Sequence, residues 1–191
     1  MIYHLYRDAF SEVYTYRYRL TDADERLLLQ ATWPATHAGP RPEEIALQNA
    51  EEVEVSRLRW RNRSWWRGDR FELHGADGRP VALIAEQWNI VDRLLLHLPR
   101  YQIQLPDGNR LETRGSRYGE RFYELFVLPT QVSPEEDPGE TGVWLGEILH
   151  PPAGPTYILK SNSPLLTKST SLTAAIMIVV DLWGREKVEQ A

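Results

Sequence analysis

The stretch SLTAAIMIVVDLWG, Ser171 to Gly184, constrains the fold more than any other, because from Leu172 to Val180 every residue is apolar except Thr173. A helix built there has no polar side to turn to water and must be covered all round. Ser169, Thr170 and Ser171 offer N-caps and Gly184 a C-terminal stop. Ala174-Ala175 and the charged continuation REKVEQ add weight to helix, whereas the β-branched Ile176, Ile178, Val179 and Val180 suit a buried strand, and periodicity alone does not separate the two. The caps favour a helix over about 171–183. It is too short to span a membrane, which takes about 17–25 apolar residues; Asp181 ends this run after nine.

Most of the remaining chain alternates apolar and polar residues between turn signals, the pattern of half-buried antiparallel strands. Tyr14, Tyr16, Tyr18 and Leu20 share one face, and TDADE then turns the chain into RLLLQATW. Asp77-Gly78 and Asp107-Gly108 each sit between alternating runs, where glycine supplies the positive φ that tight hairpins demand. Further strands are expected at 2–7, 53–61, 91–98, 121–128, 142–149 and 155–160, about a dozen in all. In the region 34–52, Pro42 followed by Glu43 and Glu44 reads as the start of a helical turn. The apolar parity slips between Val53/Val55 and Leu58/Trp60, which predicts a bulge near Ser56. The Pro-rich segment 129–142 reads as a connection within one domain, 1–191. A mainly β chain with one helix that must be covered on every side is most simply a closed antiparallel barrel of about twelve strands around a central hydrophobic C-terminal helix, since closure also removes unpaired edges.

Several function classes find no support. A net charge of −5 gives nucleic-acid binding no electrostatic help, making it an unexpected partner. The absence of cysteine removes disulfides, thiolate nucleophiles and cysteine metal sites and fits a reducing compartment. The opening residues carry charges and tyrosines where a secretory signal needs an apolar core, so a cytoplasmic protein is expected. His4, His37, His74, His97 and His150 are scattered without metal-ligand spacing, with His97 in an apolar strand, and Asp22, Asp24 and Glu25 lack the glycine and distal glutamate of a calcium loop. GSRYG at 115–119 is not a nucleophile elbow, and no glycine-rich phosphate loop occurs. No catalytic residue, metal or cofactor is therefore expected.

FELHGADGRPVALI, YQIQLPDGNRLETRG, GVWLGEIL and TYILKSNSPLLTKSTSLTAAIMIVVDLWG together resemble the tubby C-terminal superfamily, nearest to its LURP-one-related branch, with phospholipid scramblases as more distant relatives. The resemblance covers roughly residues 12–184 and rests on strands, Asp-Gly turns and a final apolar helix ending in aspartate. It implies the barrel-around-helix fold and, because tubby domains bind phosphoinositides through basic residues on the barrel exterior, it raises an anionic phospholipid as partner.

The surface feature that suits such a partner is SRLRWRNRSWWRGDR: Arg57, Arg59, Arg61, Arg63, Arg67 and Arg70 interleaved with Trp60, Trp65 and Trp66. Alternation puts Arg57, Arg59, Arg61 and Arg63 on one face, where guanidinium groups can hold phosphate and tryptophans enter a membrane interface. The competing reading is an outward arginine ladder paired with surface carboxylates, with Trp60 packed inward. Asp181 is expected at the barrel mouth, held by an arginine or by backbone amides. The functional expectation is a non-enzymatic binding or scaffolding module, cytoplasmic and peripheral at the membrane, contacting anionic phospholipid or a protein. The alternatives are a carrier or enzyme with a barrel cavity and an outer C-terminal segment, and a protein-interaction module using Trp65/Trp66. The sequence sets no oligomeric state.

Overall fold

The computed structural model describes residues 1–10, 15–34, 44–64, 68–87, 100–115, 121–128 and 142–188. Within them the chain forms twelve strands: β1 (Ile2–Phe10), β2 (Thr15–Asp22), β3 (Leu27–Pro34), β4 (Glu44–Gln48), β5 (Glu54–Ser64), β6 (Gly68–Gly75), β7 (Pro80–Gln87), β8 (Arg100–Gln104), β9 (Arg110–Gly115), β10 (Arg121–Leu128), β11 (Val143–Leu149) and β12 (Tyr157–Ser161). Two helices follow, α1 (Pro164–Thr167) and α2 (Thr170–Val188). Each strand pairs antiparallel with its neighbours in the chain, and β12 returns to β1, closing the barrel without an edge.

Helix α2 is the filling. Leu172 to Asp181 are all buried, so the segment with no polar side is enclosed on every side, and the helical reading holds against the strand. Ser169 Oγ accepts the Leu172 N–H at 3.3 Å as the N-cap. The expected stop at Gly184 is not used: the helix runs on to Val188, glycine in a helix interior costing only about 1 kcal/mol. The short α1, unforeseen in the sequence, starts with Ser163 as N-cap and proline in its first turn.

Inward rows of the strands supply the other half of the core: Leu5, Leu20, Leu29, Ile45, Leu47, Leu58, Leu73, Ile84, Ile103, Leu111, Leu125, Ile148 and Leu159 are all buried. Both Asp-Gly hairpins form, with Gly78 at φ 77° and Gly108 at φ 87°. In each the aspartate Oδ1 accepts the N–H two residues ahead, Arg79 at 3.0 Å and Asn109 at 2.9 Å. Between β2 and β3, Asp22 Oδ1 accepts from both Asp24 and Arg26, each at 2.9 Å. The bulge expected near Ser56 falls at Val55, where Leu47 opposes Ser56 but Gln48 opposes Glu54.

One expectation is overturned. The segment read as the start of a helical turn from Pro42 is strand from Glu44 on. Ile45 and Leu47 point into the barrel while β4 bonds to β3 and β5, so tertiary pairing overrides a local N-terminal helix signature. Residues 35–43, the strand expected at 91–98 with His97, and nearly all of the segment 129–142 lie outside the described residues.

Candidate functional site

On β5 the alternation holds for Arg57, Arg59 and Arg61. Leu58 is buried and Trp60 stacks on Phe71, centroids 6.4 Å apart, so Arg57, Arg59 and Arg61 turn outward. All three meet carboxylates. Arg57 Nη2 lies 2.8 Å from Glu54 Oε1 and its Nη1 3.2 Å from Glu44 Oε2. Arg59 also pairs with Glu44, and Arg61 Nε lies 3.2 Å from Glu72 Oε2, which is 3.3 Å from His74 Nε2. Burial pushes the Glu44 carboxyl up, but the hydrogen bonds and charges of Arg59 and Arg57 outweigh it and hold the group below its ordinary value. Glu72 is likewise held low, His74 and Arg61 overcoming its burial. Arg70 is exposed, sits opposite Arg61 in the ladder, and makes no ion pair among the described residues. The outward ladder is thus four arginines against three glutamates, with Arg57, Arg59 and Arg61 already engaged. The Arg63 side chain, Trp65, Trp66 and Arg67 lie outside the described residues.

The second constellation is at the rim where α2 reaches the far end of the barrel. Asp181 is 1% exposed, and Arg7 from β1 donates through Nη1 to its Oδ1 at 2.8 Å. Tyr18 on β2, Arg7's partner in register, donates its hydroxyl to Oδ2 at 2.6 Å, and Tyr157 on β12 also hydrogen-bonds this carboxylate. The expected arginine partner is therefore present; the tyrosines were not foreseen. Burial pushes Asp181 up, and the opposing effects of Arg7, Tyr157 and His150 do not cancel it. Burial likewise raises the Tyr157 phenol, helped by the Asp181 charge, and pushes Tyr123 far up. The Tyr123 hydroxyl is buried without a hydrogen-bond partner among the described residues. Phe122 stacks on Tyr157 at 5.4 Å, and the exposed His150 packs against both, at 5.6 Å and 5.1 Å.

Sequence reading singled out Asp181 because it interrupts an apolar run; Arg7, Tyr18 and Tyr157 carry no comparable mark, since partners on three strands are brought together only by closure. Among the described residues no group of three or more His, Cys, Asp or Glu side chains is placed to hold a metal ion. No helix among them is long and apolar enough to cross a membrane. The fold is a closed twelve-stranded antiparallel barrel with a helix in its lumen. Comparison with protein-family models, with curated proteins and with solved structures finds no match to this chain.

Proposed function

We propose that this chain is a non-enzymatic binding module of tubby-like, LURP-one-related type whose working surface is the outside of the barrel, and that the outward arginines of β5 and β6 contact anionic phospholipid headgroups. The observation that carries the reading is the filled lumen: with Leu172 to Asp181 buried in its interior, the barrel leaves recognition to its exterior. The carrier alternative needed the C-terminal segment outside the strands, and that segment is the core. On the exterior, Arg70 beside Arg61 is a pair of like charges facing each other across two strands, a repulsion that a bridging phosphate relieves. Engagement of Arg57, Arg59 and Arg61 requires phosphate oxygens to replace carboxylates, which is feasible because exposed ion pairs contribute only about 0.2–1 kcal/mol each. In this reading the module is cytoplasmic and meets the membrane peripherally, with affinity that falls as salt rises.

The test is cosedimentation with phosphatidylcholine vesicles with and without phosphatidylserine or a phosphoinositide, comparing wild type with Arg59→Glu/Arg61→Glu. Retention that needs the anionic lipid, weakens with salt and is lost in the variant supports the reading. Equal retention of both proteins, or none on any vesicle, overturns it.

A further inference from the structure

Arg7 occupies an unusual place for a guanidinium. In the ladder it stands opposite Tyr18 and follows Tyr3 and Leu5 on the inward row of β1, so its side chain starts toward the core. It lies against the Tyr16 ring, 5.8 Å from the centroid, and its only ion pair among the described residues is with Asp181. It is also 31% exposed, so water lies within reach of a rotamer change. Asp181, at 1% exposure, has no such exit, and the Tyr18 and Tyr157 hydroxyls hold it in place. The two partners of one ion pair thus differ in access to water: the carboxylate is enclosed and the guanidinium reaches the surface.

We propose that Asp181 is a proton-operated latch on Arg7, ionised to hold the guanidinium inside the rim and neutral to release it to solvent, where it adds a cation to that end of the barrel. A half-buried guanidinium without a counter-charge is costly, which drives the release once the carboxylate is neutralised. The surroundings favour proton uptake by Asp181 at a higher pH than an ordinary aspartate, since burial raises its carboxyl despite Arg7. Among the described residues, the titratable groups that touch the pair or its neighbours include Tyr16 and Tyr18 on β2, Tyr157 on β12, His150 before it and Tyr123 on β10. Asp69 and Glu86 lie across the barrel on the inward rows of β6 and β7, where the Asp69 N–H donates to Glu86 Oε2 at 3.0 Å. The Tyr157 and Tyr123 phenols, pushed up by burial, stay neutral through the acid range.

The experiment is a pH titration by NMR that follows the Asp181 side-chain carboxyl carbon and the Arg7 Nε–Hε group in the same samples. Both signals are expected to move with one shared midpoint above 3.8. In Asp181→Asn the Arg7 signal should sit at its acid position at every pH. Tyr18→Phe should shift the shared midpoint upward, because the lost hydrogen bond favours the carboxylate; this variant carries the test if Asp181→Asn does not fold. An Arg7 signal that ignores the Asp181 midpoint overturns the proposal, as does an Asp181 midpoint at or below 3.8.

Discussion

At the scale of single residues, the cost of Asp181 is borne by three partners, and each can be removed separately. Asp181→Leu leaves the buried Tyr18 and Tyr157 hydroxyls without their acceptor and is expected to destabilise by about 1–3 kcal/mol in urea unfolding, whereas Asp181→Leu with Tyr18→Phe should regain part of that loss. A double variant no more stable than the single one would show that the stranded Tyr18 hydroxyl is not the source of the cost. Tyr18→Phe deletes a 2.6 Å hydrogen bond to a carboxylate and should cost about 1.5–3 kcal/mol. Tyr123→Phe deletes a hydroxyl with no partner among the described residues, so it should be neutral or stabilising. The contrast between two inward tyrosines on one barrel is invisible in the sequence, where both sit in similar alternating strands. Only Asp181 announced itself, as a charge inside an apolar run.

At the scale of elements, a helix without an exposed side should show no 3.6-residue rhythm in its tolerance. Met177→Ala is expected to cost about 2–5 kcal/mol by leaving a cavity, and Ala174→Leu and Ala175→Leu about 1–3 kcal/mol each by overpacking on successive sides of α2. A denaturation series over 174–180 in which alternate positions accept polar residues would contradict this enclosure. Gly146 on β11 lies tight against β12: an added Cβ would run into the Lys160 carbonyl and meet the Ser161 Cβ at 2.9 Å. Gly146→Ala should therefore destabilise more than alanine at Gly75, where the obstacle is the Asp77 carboxylate tip, the end of a side chain. Element types were largely legible because α2 and the hairpins each carry their own signal, namely caps with apolarity and Asp-Gly with alternation. β4 was not, since Pro-Glu-Glu mimics a helix start and only β3 and β5 make IALQ a strand.

At the scale of the whole molecule, acid stability divides between two opposed groups of carboxyls. Glu44 and Glu72 have folded values below the ordinary 4.5, so their contribution is present above that pH and is lost as pH falls through their folded values. Asp181 runs the other way: its contribution is fullest below 3.8 and is lost as pH rises through its raised folded value. Urea midpoints measured across the acid range should therefore fall less steeply below pH 4.5 in Glu44→Gln/Glu72→Gln than in wild type, while Asp181→Asn should fall more steeply. Parallel curves for all three proteins would remove both assignments. The arginine face belongs to this scale too: its alternation was readable along β5, but the carboxylates that balance it come from β4 and β6.

What the sequence determined by itself is the pattern of burial. Period 2 with Asp-Gly turns compels paired strands, and nine successive residues with one threonine among them compel a segment enclosed on all sides, because no rotation of a helix can turn such a run toward water. What only the tertiary structure decided is partnership. Which carboxylate neutralises which arginine, and that Arg7, Tyr18 and Tyr157 converge on Asp181, depends on the β12–β1 seam that joins the two ends of the ladder. Local patterning fixes the face on which a side chain lies, whereas its neighbour across the barrel is set by closure.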